Sequence, residues 1–298
     1  MRNFEETVCN ICGSTNYEEK LYPIRSGHLV KCSRCDLYYA NPRISDIIQD
    51  VLGNNTPSEL YEGKKLNYWG RMVEFNRYLK MIHKFKQPQG RILDIGCYEG
   101  YFLYEARKHG WECYGVEPNV GGARYAIEQL KLDVKQCVLE KAGFEENYFD
   151  IVTAFATLEH VPNPLTLLRE VRRIVKEDGL LVVSVPVIPF YLKLIRSKWR
   201  MFIGDHYYFF TDTSMAKLLA KANFNLISSL YLYKSVDINT ISARLADEWQ
   251  PNNLGSMGKF IRKVIMKMRI GEIRFILNLY DTKIYIARPN SSKEGGIP

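Results

Sequence analysis

The sequence of 298 residues contains no long apolar run. A helix that crosses a bilayer needs about 20 consecutive, mostly apolar residues, and no stretch approaches that length. The first residues, Met-Arg-Asn-Phe-Glu-Glu, also lack the apolar segment of a secretory signal. We therefore expect a globular protein of the cytoplasm, and its hydrophobic content of 46% is sufficient for a large core.

Acidic residues are outnumbered by basic residues, 33 against 41, which gives a net charge of +8. This excess predicts a negatively charged partner, and RNA, a membrane surface and a small phosphorylated substrate all remain open. Internal repeats and low-complexity tracts are lacking as well, apart from a polar tail at 290–298 that we expect to be disordered. The sequence leaves the oligomeric state open.

Only seven cysteines are present, and four of them form two Cys-x-x-Cys pairs, Cys9 with Cys12 and Cys32 with Cys35. Each pair can supply two thiolates to one tetrahedral metal ion, whereas a disulfide framework is not expected in a chain without secretory features. We predict a structural zinc site in a ribbon at residues 1–42, and iron on the same ligands is the alternative. Four thiolates close the coordination shell, so the ion would organise the fold without taking part in catalysis.

A glycine turn follows an apolar strand in the stretch Arg91–Gly100, and a helical pattern follows at Tyr101–Lys108. Gly96 and Gly100 have no Cβ, so the backbone can turn tightly and approach a ligand closely. Asp94 closes the strand just before the turn, where its carboxylate would repel the pyrophosphate of a dinucleotide and attract a cation. S-adenosylmethionine carries an ammonium, a sulfonium and no phosphate, and therefore suits this turn.

A second acidic residue, Glu117, ends the next strand about 20 residues beyond the turn, where ribose hydroxyls are bound in nucleotide-binding folds. Together with Asp94 it favours a cofactor that contains adenosine. The alternative is an ordinary strand-helix-strand unit whose acidic residues only cap helices.

The motif Asp94-Ile-Gly96-Cys-Tyr98-Glu-Gly100 resembles the D-x-G-x-G-x-G motif of the class I S-adenosylmethionine-dependent methyltransferases. Tyr98 stands where the family has its middle glycine, and its side chain could pack over the cofactor. The resemblance covers residues 60 to 288 and includes three later segments: 149–155, 158–162 and 178–186.

This resemblance implies an α/β fold with a Rossmann-like, seven-stranded, mostly parallel sheet at residues 89–289, preceded by a linker and cover helix at 43–88. It also implies that S-adenosylmethionine is held by the turn and the strand ends, with adenine near Val138 and Leu139 and the methionine part near Phe155. The predicted cofactor-binding residues are Asp94, Gly96, Cys97, Gly100, Glu117, Val138, Leu139 and Phe155. Tyr61 of the linker and Tyr68 of the cover helix are weaker candidates, for which core packing is the alternative.

The N-terminal pattern, Cys-x-x-Cys-Gly-Ser and then Cys-x-x-Cys-x-Leu-x-Tyr-x-Asn-Pro42, resembles the zinc-binding domain of bacterial methyltransferases that tailor sugars in polysaccharide and secondary-metabolite pathways. This resemblance implies a nucleotide-linked or phosphorylated sugar as acceptor. Oxygen is our first choice of acceptor atom, and nitrogen and carbon remain open. The alternatives are an RNA methyltransferase with a zinc-ribbon module and a non-catalytic binding protein of the same fold.

Motifs of DNA methyltransferases are missing. Neither Asn-Pro-Pro-Tyr nor Asp-Pro-Pro-Tyr follows the fourth strand, and no cysteine there could form a covalent bond with a base. We therefore expect no DNA partner.

The segment Val187–Asp212 departs from the alternation of strands and helices and is rich in aromatic and basic residues. It follows the fifth strand at the carboxyl edge of the sheet, where ligands bind in open α/β folds. We interpret it as a substrate lid in which Arg196 and Arg200 pair with phosphates, and an amphipathic surface segment is the alternative. A second basic amphipathic stretch, Lys259–Arg269, predicts either contact with a membrane surface or lipid-linked substrate, or a cover helix with a solvated basic face.

Methyl transfer to a hydroxyl requires a group that removes the proton, and histidine suits this task near neutral pH. His160 and His206 both lie on loops that are predicted at the cofactor edge. We prefer His206 because Asp205 is next to it, and Glu159 is a reserve candidate. A structural hydrogen-bonding role is the alternative for either histidine.

Overall fold

The fold is described by a computed structural model for residues 3–24, 26–45, 68–199, 201–202, 206–238, 242, 255–268, 271 and 273–290. Several predictions lie outside these residues: Tyr61, Arg200, Asp205, Arg269, most of the linker and most of the polar tail. For Tyr68, only the backbone is described.

The N-terminal part forms a small antiparallel sheet. Its strands are β1 (Phe4–Glu5), β2 (Tyr17–Ile24), β3 (Gly27–Cys32) and β4 (Tyr38–Ile44), in the order β1-β4-β3-β2. Cys32 ends β3, and Cys35 lies in the turn that leads to β4. The last strand runs to Ile44, so the small sheet extends slightly beyond the predicted boundary at 42, which stays a prediction.

A larger sheet of seven strands follows. Its parallel part consists of β5 (Arg91–Ile95), β6 (Glu112–Val116), β7 (Asp133–Lys135), β8 (Phe149–Phe155) and β9 (Val175–Pro186). Two antiparallel strands complete it, β11 (Phe224–Asp237) and β12 (Arg274–Pro289), in the order β11-β12-β9-β8-β5-β6-β7. The predicted Rossmann-like, mostly parallel sheet is therefore confirmed.

Helices pack on both faces of this sheet, because successive strand residues point to opposite sides. Leu93 and Val152 belong to one hydrophobic cluster, while their neighbours Ile92 and Ile151 belong to the other. The helices are α1 (Tyr68–Ile82), α2 (Tyr101–Lys108), α3 (Val120–Glu128), α4 (Pro164–Ile174), α5 (Leu192–Ile195), α6 (Asp212–Lys221) and α7 (Gly255–Met268). None of the helices among the described residues is long and apolar enough to cross a membrane.

The segment between β9 and α6 joins the two sheets. Its strand β10 (Tyr208–Phe209) pairs antiparallel with β4 and so adds a fifth strand to the small sheet. Trp199 and Phe209 are buried and pack with Leu29 of β3. The lid interpretation therefore does not hold for these aromatic side chains, because they are the core of the junction.

Candidate functional site

The turn after β5 contains three residues with left-handed backbone conformations, Gly96 (φ 70°), Tyr98 (φ 48°) and Gly100 (φ 77°). At Gly96 a Cβ atom would lie 2.8 Å from Oγ1 of Thr157, which follows β8. At Gly100 it would lie 2.5 Å from Cδ1 of Leu132. Both glycines are therefore required by close packing as well as by backbone conformation.

Asp94 is buried at the end of β5, next to the middle of β8. Its Oδ1 accepts a hydrogen bond of 2.7 Å from the Thr153 hydroxyl. Burial raises the pKa of Asp94 to about 7, the nearby charge of Glu117 adds to this increase, and the Thr153 hydrogen bond opposes it. A buried carboxyl of this kind gains most from a cationic neighbour, since a cation favours its ionised form.

Glu117 follows β6, and its two carboxylate oxygens accept hydrogen bonds from the turn and from the N-cap residue of α3. Oε2 accepts a hydrogen bond of 2.7 Å from the amide of Tyr98, and Oε1 accepts one of 2.7 Å from the amide of Asn119. Burial raises the pKa of Glu117, and these two amides oppose the increase. Each oxygen keeps a second lone pair that can accept a hydrogen bond from a ligand hydroxyl.

Tyr98, at the position of the family's middle glycine, packs against α3. A Cβ atom on Gly122 would lie 2.7 Å from Cδ2 of the Tyr98 ring. The ring also borders the cavity described next.

Cys97, the residue before Tyr98, is buried beneath the turn, where a Cβ atom on Gly115 would lie 2.7 Å from the Cys97 Sγ. Burial raises the pKa of this thiol well above its usual value, so Cys97 packs in the neutral form.

A cavity of about 490 Å³ opens beside the turn, within the range of small-molecule sites. Glu117 borders it on one side, and Val138 and Leu139 border it where adenine is expected. Among the described residues that line it, none is a lysine or an arginine. The cavity therefore suits a cationic adenosine compound better than a pyrophosphate.

Phe155, predicted near the methionine part of the cofactor, packs on the other side of β8. Its ring centroid lies 4.8 Å from that of Phe102 and 4.9 Å from that of Tyr78. It is not among the described residues that line the 490 Å³ cavity. In this structure Phe155 therefore supports the strand end by packing.

Three titratable side chains meet next to the cavity, namely Glu159, His160 and His206. The possible ligand atoms of the three lie within 4.8 Å of one another. His160 lines the cavity, whereas Glu159 and His206 are buried. The sequence interpretation paired His206 with Asp205, which lies outside the described residues, and the structure instead brings His206 to Glu159 and His160.

The position of His206 is fixed from two sides. The Ser26 hydroxyl of the small sheet donates a hydrogen bond of 2.7 Å to the His206 carbonyl oxygen. The amide of Tyr207 donates one of 2.8 Å to the Glu159 carbonyl oxygen, which joins this segment to the loop after β8. The small sheet thus helps to position a histidine at the edge of the cavity.

The four cysteines of the small sheet converge. Cys9 and Cys35 have their Sγ atoms 3.2 Å apart, and those of Cys12 and Cys32 are 3.5 Å apart. These distances exceed a disulfide bond of about 2.05 Å and are close to those between ligands of one tetrahedral ion. Gly13 closes the first turn with a hydrogen bond from its amide to the Cys9 carbonyl oxygen. The four side chains therefore fit a structural zinc ion.

Sequence reasoning missed Thr153, Thr157 and Asn119, which hold the turn and its acidic residues. Thr153 is the one hydroxyl residue in the otherwise apolar centre of Phe149–Phe155, and that isolation was a usable signal. Asn119 caps α3 by accepting a hydrogen bond from the amide of Gly122, and an asparagine before a helical pattern is a known signal. The contact of Thr157 with Gly96 had no comparable signal in the sequence.

A sequence model of the methyltransferase domain matches residues 68–229, which is more than half of the chain. A ubiquinone biosynthesis O-methyltransferase of Roseobacter denitrificans is 32% identical over 142 residues, which cover 45% of this chain and 56% of that protein. One of Aliivibrio fischeri is 29% identical over 225 residues, 63% of this chain and 96% of that protein. The chain thus spans little more than half the length of the first of these relatives.

The YcgJ protein of Bacillus subtilis has the same fold, with a TM-score of 0.51 at 17% identity, over 72% of this chain and 97% of that chain.

Proposed function

We propose that this chain, which belongs to the methyltransferase domain family and is an S-adenosylmethionine-dependent methyltransferase of class I fold, methylates a hydroxyl oxygen of a small anionic acceptor. The acceptor class that we favour is a nucleotide-linked or phosphorylated sugar. The observation that carries the proposal is the cluster of Glu159, His160 and His206 at the edge of the cavity.

S-adenosylmethionine supplies an electrophilic methyl group when it is bound. Glu117 would accept hydrogen bonds from the ribose hydroxyls of this cofactor with its remaining lone pairs, and Val138 and Leu139, which line the cavity, would contact its adenine. Asp94 contributes a buried negative charge that favours the cationic cofactor. Gly96 and Gly100 permit the close turn, while Cys97 and Phe155 act by packing around it.

Proton removal is assigned to the pair of His160 and His206, of which His160 borders the cavity. An acceptor hydroxyl becomes nucleophilic as its proton passes to an imidazole. The buried Glu159 then stabilises the imidazolium that results, as a carboxylate does beside a catalytic histidine. The two histidines came from the sequence as separate candidates, and the distances within the cluster support a joint role.

Three observations support the choice of acceptor. The net charge of +8 and the exposed Lys193 and Arg196 after β9 favour an anionic group. The names of the relatives from Roseobacter and Aliivibrio support oxygen as the acceptor atom. The resemblance of the four-cysteine domain to that of sugar-tailoring enzymes supports a sugar.

The test uses methyl-labelled S-adenosylmethionine with the purified protein and, in parallel, a small-metabolite extract and total RNA from the source organism. We expect label in a small anionic product, which mass spectrometry then identifies. The matched control is the His160→Ala variant, which should bind cofactor and leave the extract unlabelled. Label in RNA, or in neither fraction, would overturn the assignment of a small acceptor.

A further inference from the structure

The two antiparallel strands of the large sheet continue beyond it. Thr282 of β12 pairs with Pro186, the last residue of β9, so Arg274–Asp281 extend past the carboxyl end of that strand. Tyr233–Asp237 of β11 accompany them with continuous pairing to Arg274–Asn278. We call these two stretches, together with α7, the arm. The arm therefore leaves the sheet at its carboxyl edge, the edge that also carries the cavity.

The strand part of the arm exposes apolar side chains on both faces. Phe275, Ile276 and Leu277 are consecutive, so they alternate between the faces, and Ile276 is 55% exposed. A two-stranded ribbon of this kind has no core of its own and is only marginally stable in water. Contiguous exposed apolar surface at such a place indicates a binding surface.

Helix α7 is amphipathic, and its apolar side faces solvent. Met257, Phe260, Val264 and Met268 recur at helical spacing, and Phe260 is 67% exposed. A cover helix with a solvated basic face is the other structure that the sequence predicts for this stretch. These exposed residues do not cover the core, because a cover helix would bury them.

Every charged residue of α7 is basic. The helix carries Lys259, Arg262, Lys263 and Lys267, and the sequence of Gly255–Met268 contains no acidic residue. An exposed apolar face bordered by cations is the pattern of helices that lie in the interface of a membrane with anionic lipids. A second copy of the chain is a poor partner for this helix, because the like charges would meet.

The apolar surface continues onto the segment after β9. Phe190 and Leu194 are 83% and 84% exposed, and the Phe190 ring centroid lies 6.0 Å from that of Tyr280 at the base of the arm. The Tyr191 hydroxyl donates a hydrogen bond of 2.6 Å to the Leu279 carbonyl oxygen and fixes this contact. The surface therefore combines the arm with residues on the cavity side of the sheet.

We propose that the arm docks on a membrane surface that contains anionic lipids, with the apolar residues of α7 and of the ribbon inserted among the lipid chains and the lysines at the headgroups. The docked arm keeps the carboxyl edge of the sheet close to the membrane. The proposal goes beyond methyl transfer and does not depend on it, since lipid binding is measurable without an acceptor.

The test is flotation of the full chain with vesicles of phosphatidylcholine alone and with vesicles of equal parts of phosphatidylcholine and phosphatidylglycerol. We expect the protein to float with the anionic vesicles only, and the bound fraction to fall as salt is raised from roughly 0.1 M to 1 M. The double variant Lys263→Gln/Lys267→Gln should lower the partition coefficient roughly tenfold or more. The double variant Met257→Ser/Phe260→Ser should weaken binding without removing its salt dependence.

The matched control is Lys84→Gln/Lys131→Gln, which removes two exposed lysines outside the arm and should float like the wild type. Circular dichroism and S-adenosylmethionine binding check that every variant is folded. The proposal is overturned if the wild type floats with neither vesicle, or if the control weakens binding as much as the arm variants do. The proposal is also overturned if the protein is a dimer without lipid and the Met257→Ser/Phe260→Ser variant is a monomer, because the arm then binds a second copy of the chain.

Discussion

The imidazole rings of His160 and His206 meet edge to face, with their centroids 4.6 Å apart. His160 belongs to the loop after β8, and His206 to the segment after β9 that joins the small sheet. At this distance the two rings are in direct contact, so replacing either one changes the surroundings of the other. Residues that act as a unit in catalysis show strongly non-additive effects when they are replaced.

We predict that His160→Ala and His206→Ala each lower the single-turnover rate of methyl transfer by about 10²–10⁴, as expected for loss of acid-base catalysis. The double variant should be little slower than the slower single variant, because the first change already disables the pair. Calorimetry should show that both single variants bind S-adenosylmethionine nearly as the wild type does.

The chain offers a matched control in a second pair of adjacent histidines, His83 and His109, whose ring centroids are 5.4 Å apart. His109 is exposed, and His109→Ala should leave the rate unchanged. Normal turnover in His160→Ala and in His206→Ala would remove both residues from the mechanism. Additive losses in the double variant would show that they act separately.

The raised pKa of Asp94 predicts two effects of pH, one on the stability of the protein without cofactor and one on its affinity for the cofactor. Folding raises this pKa from 3.8 to about 7, mainly through burial and further through the charge of Glu117. At a pH between these two pKa values, Asp94 is protonated in the folded protein and ionised in the unfolded chain. The contribution of Asp94 to the free energy of unfolding therefore falls as pH rises through this range. Cofactor affinity should change in the opposite direction, because the cation favours the ionised carboxylate.

We therefore expect the dissociation constant of S-adenosylmethionine to rise by up to about tenfold per unit as pH falls below 7. Asp94→Asn should weaken binding roughly 10- to 100-fold and remove this dependence, since Asn keeps an acceptor for Thr153 but has no charge. Asp133→Asn, at an exposed acid of β7, should behave like the wild type. An Asp94→Asn variant with the wild-type pH profile would show that another group titrates.

The turn and the central strands could be predicted from the sequence because they depend on local signals. The strand that ends at Ile95 is a short apolar run with a glycine turn after it, and these features define the strand without any knowledge of its neighbours. The convergence of the four cysteines could be predicted in the same way, because the spacing of two Cys-x-x-Cys pairs is typical of ligands to one metal ion. Both predictions needed only residues that are close in the chain.

The junction between the sheets could not be predicted, because it depends on contacts between distant residues. Phe209 pairs with Tyr38 across the two parts of the chain, and no local pattern reports that pairing. The aromatic content of the segment is visible in the sequence but the burial of its side chains is not, so the sequence alone predicts a lid. The full lengths of β11 and β12 could not be predicted for a related reason, since the sequence of the ribbon beyond Tyr231 lacks alternating polarity.

The junction gives a prediction that separates a packed core from a mobile lid. Phe209→Ala should lower the free energy of unfolding by about 3–5 kcal/mol, because the ring is fully buried against Trp199 and Phe202. Phe190→Ala, in the exposed part of the same segment, should change it by less than about 0.5 kcal/mol. Denaturant unfolding measures both values. A small effect of Phe209→Ala would mean that the segment opens in solution.

The four cysteines predict one zinc ion per chain by elemental analysis, and its loss on Cys12→Ser or on treatment with a chelator. Because β4 pairs with β10 and Ser26 holds the His206 backbone, disorder of the small sheet should reach the histidine pair. Metal loss should therefore lower the melting temperature and the methyl-transfer rate, while S-adenosylmethionine still binds at the large sheet. Cys113→Ser is the matched control outside the cluster and should retain zinc, stability and rate. If the metal-free protein keeps its full rate, the small sheet does not position His206.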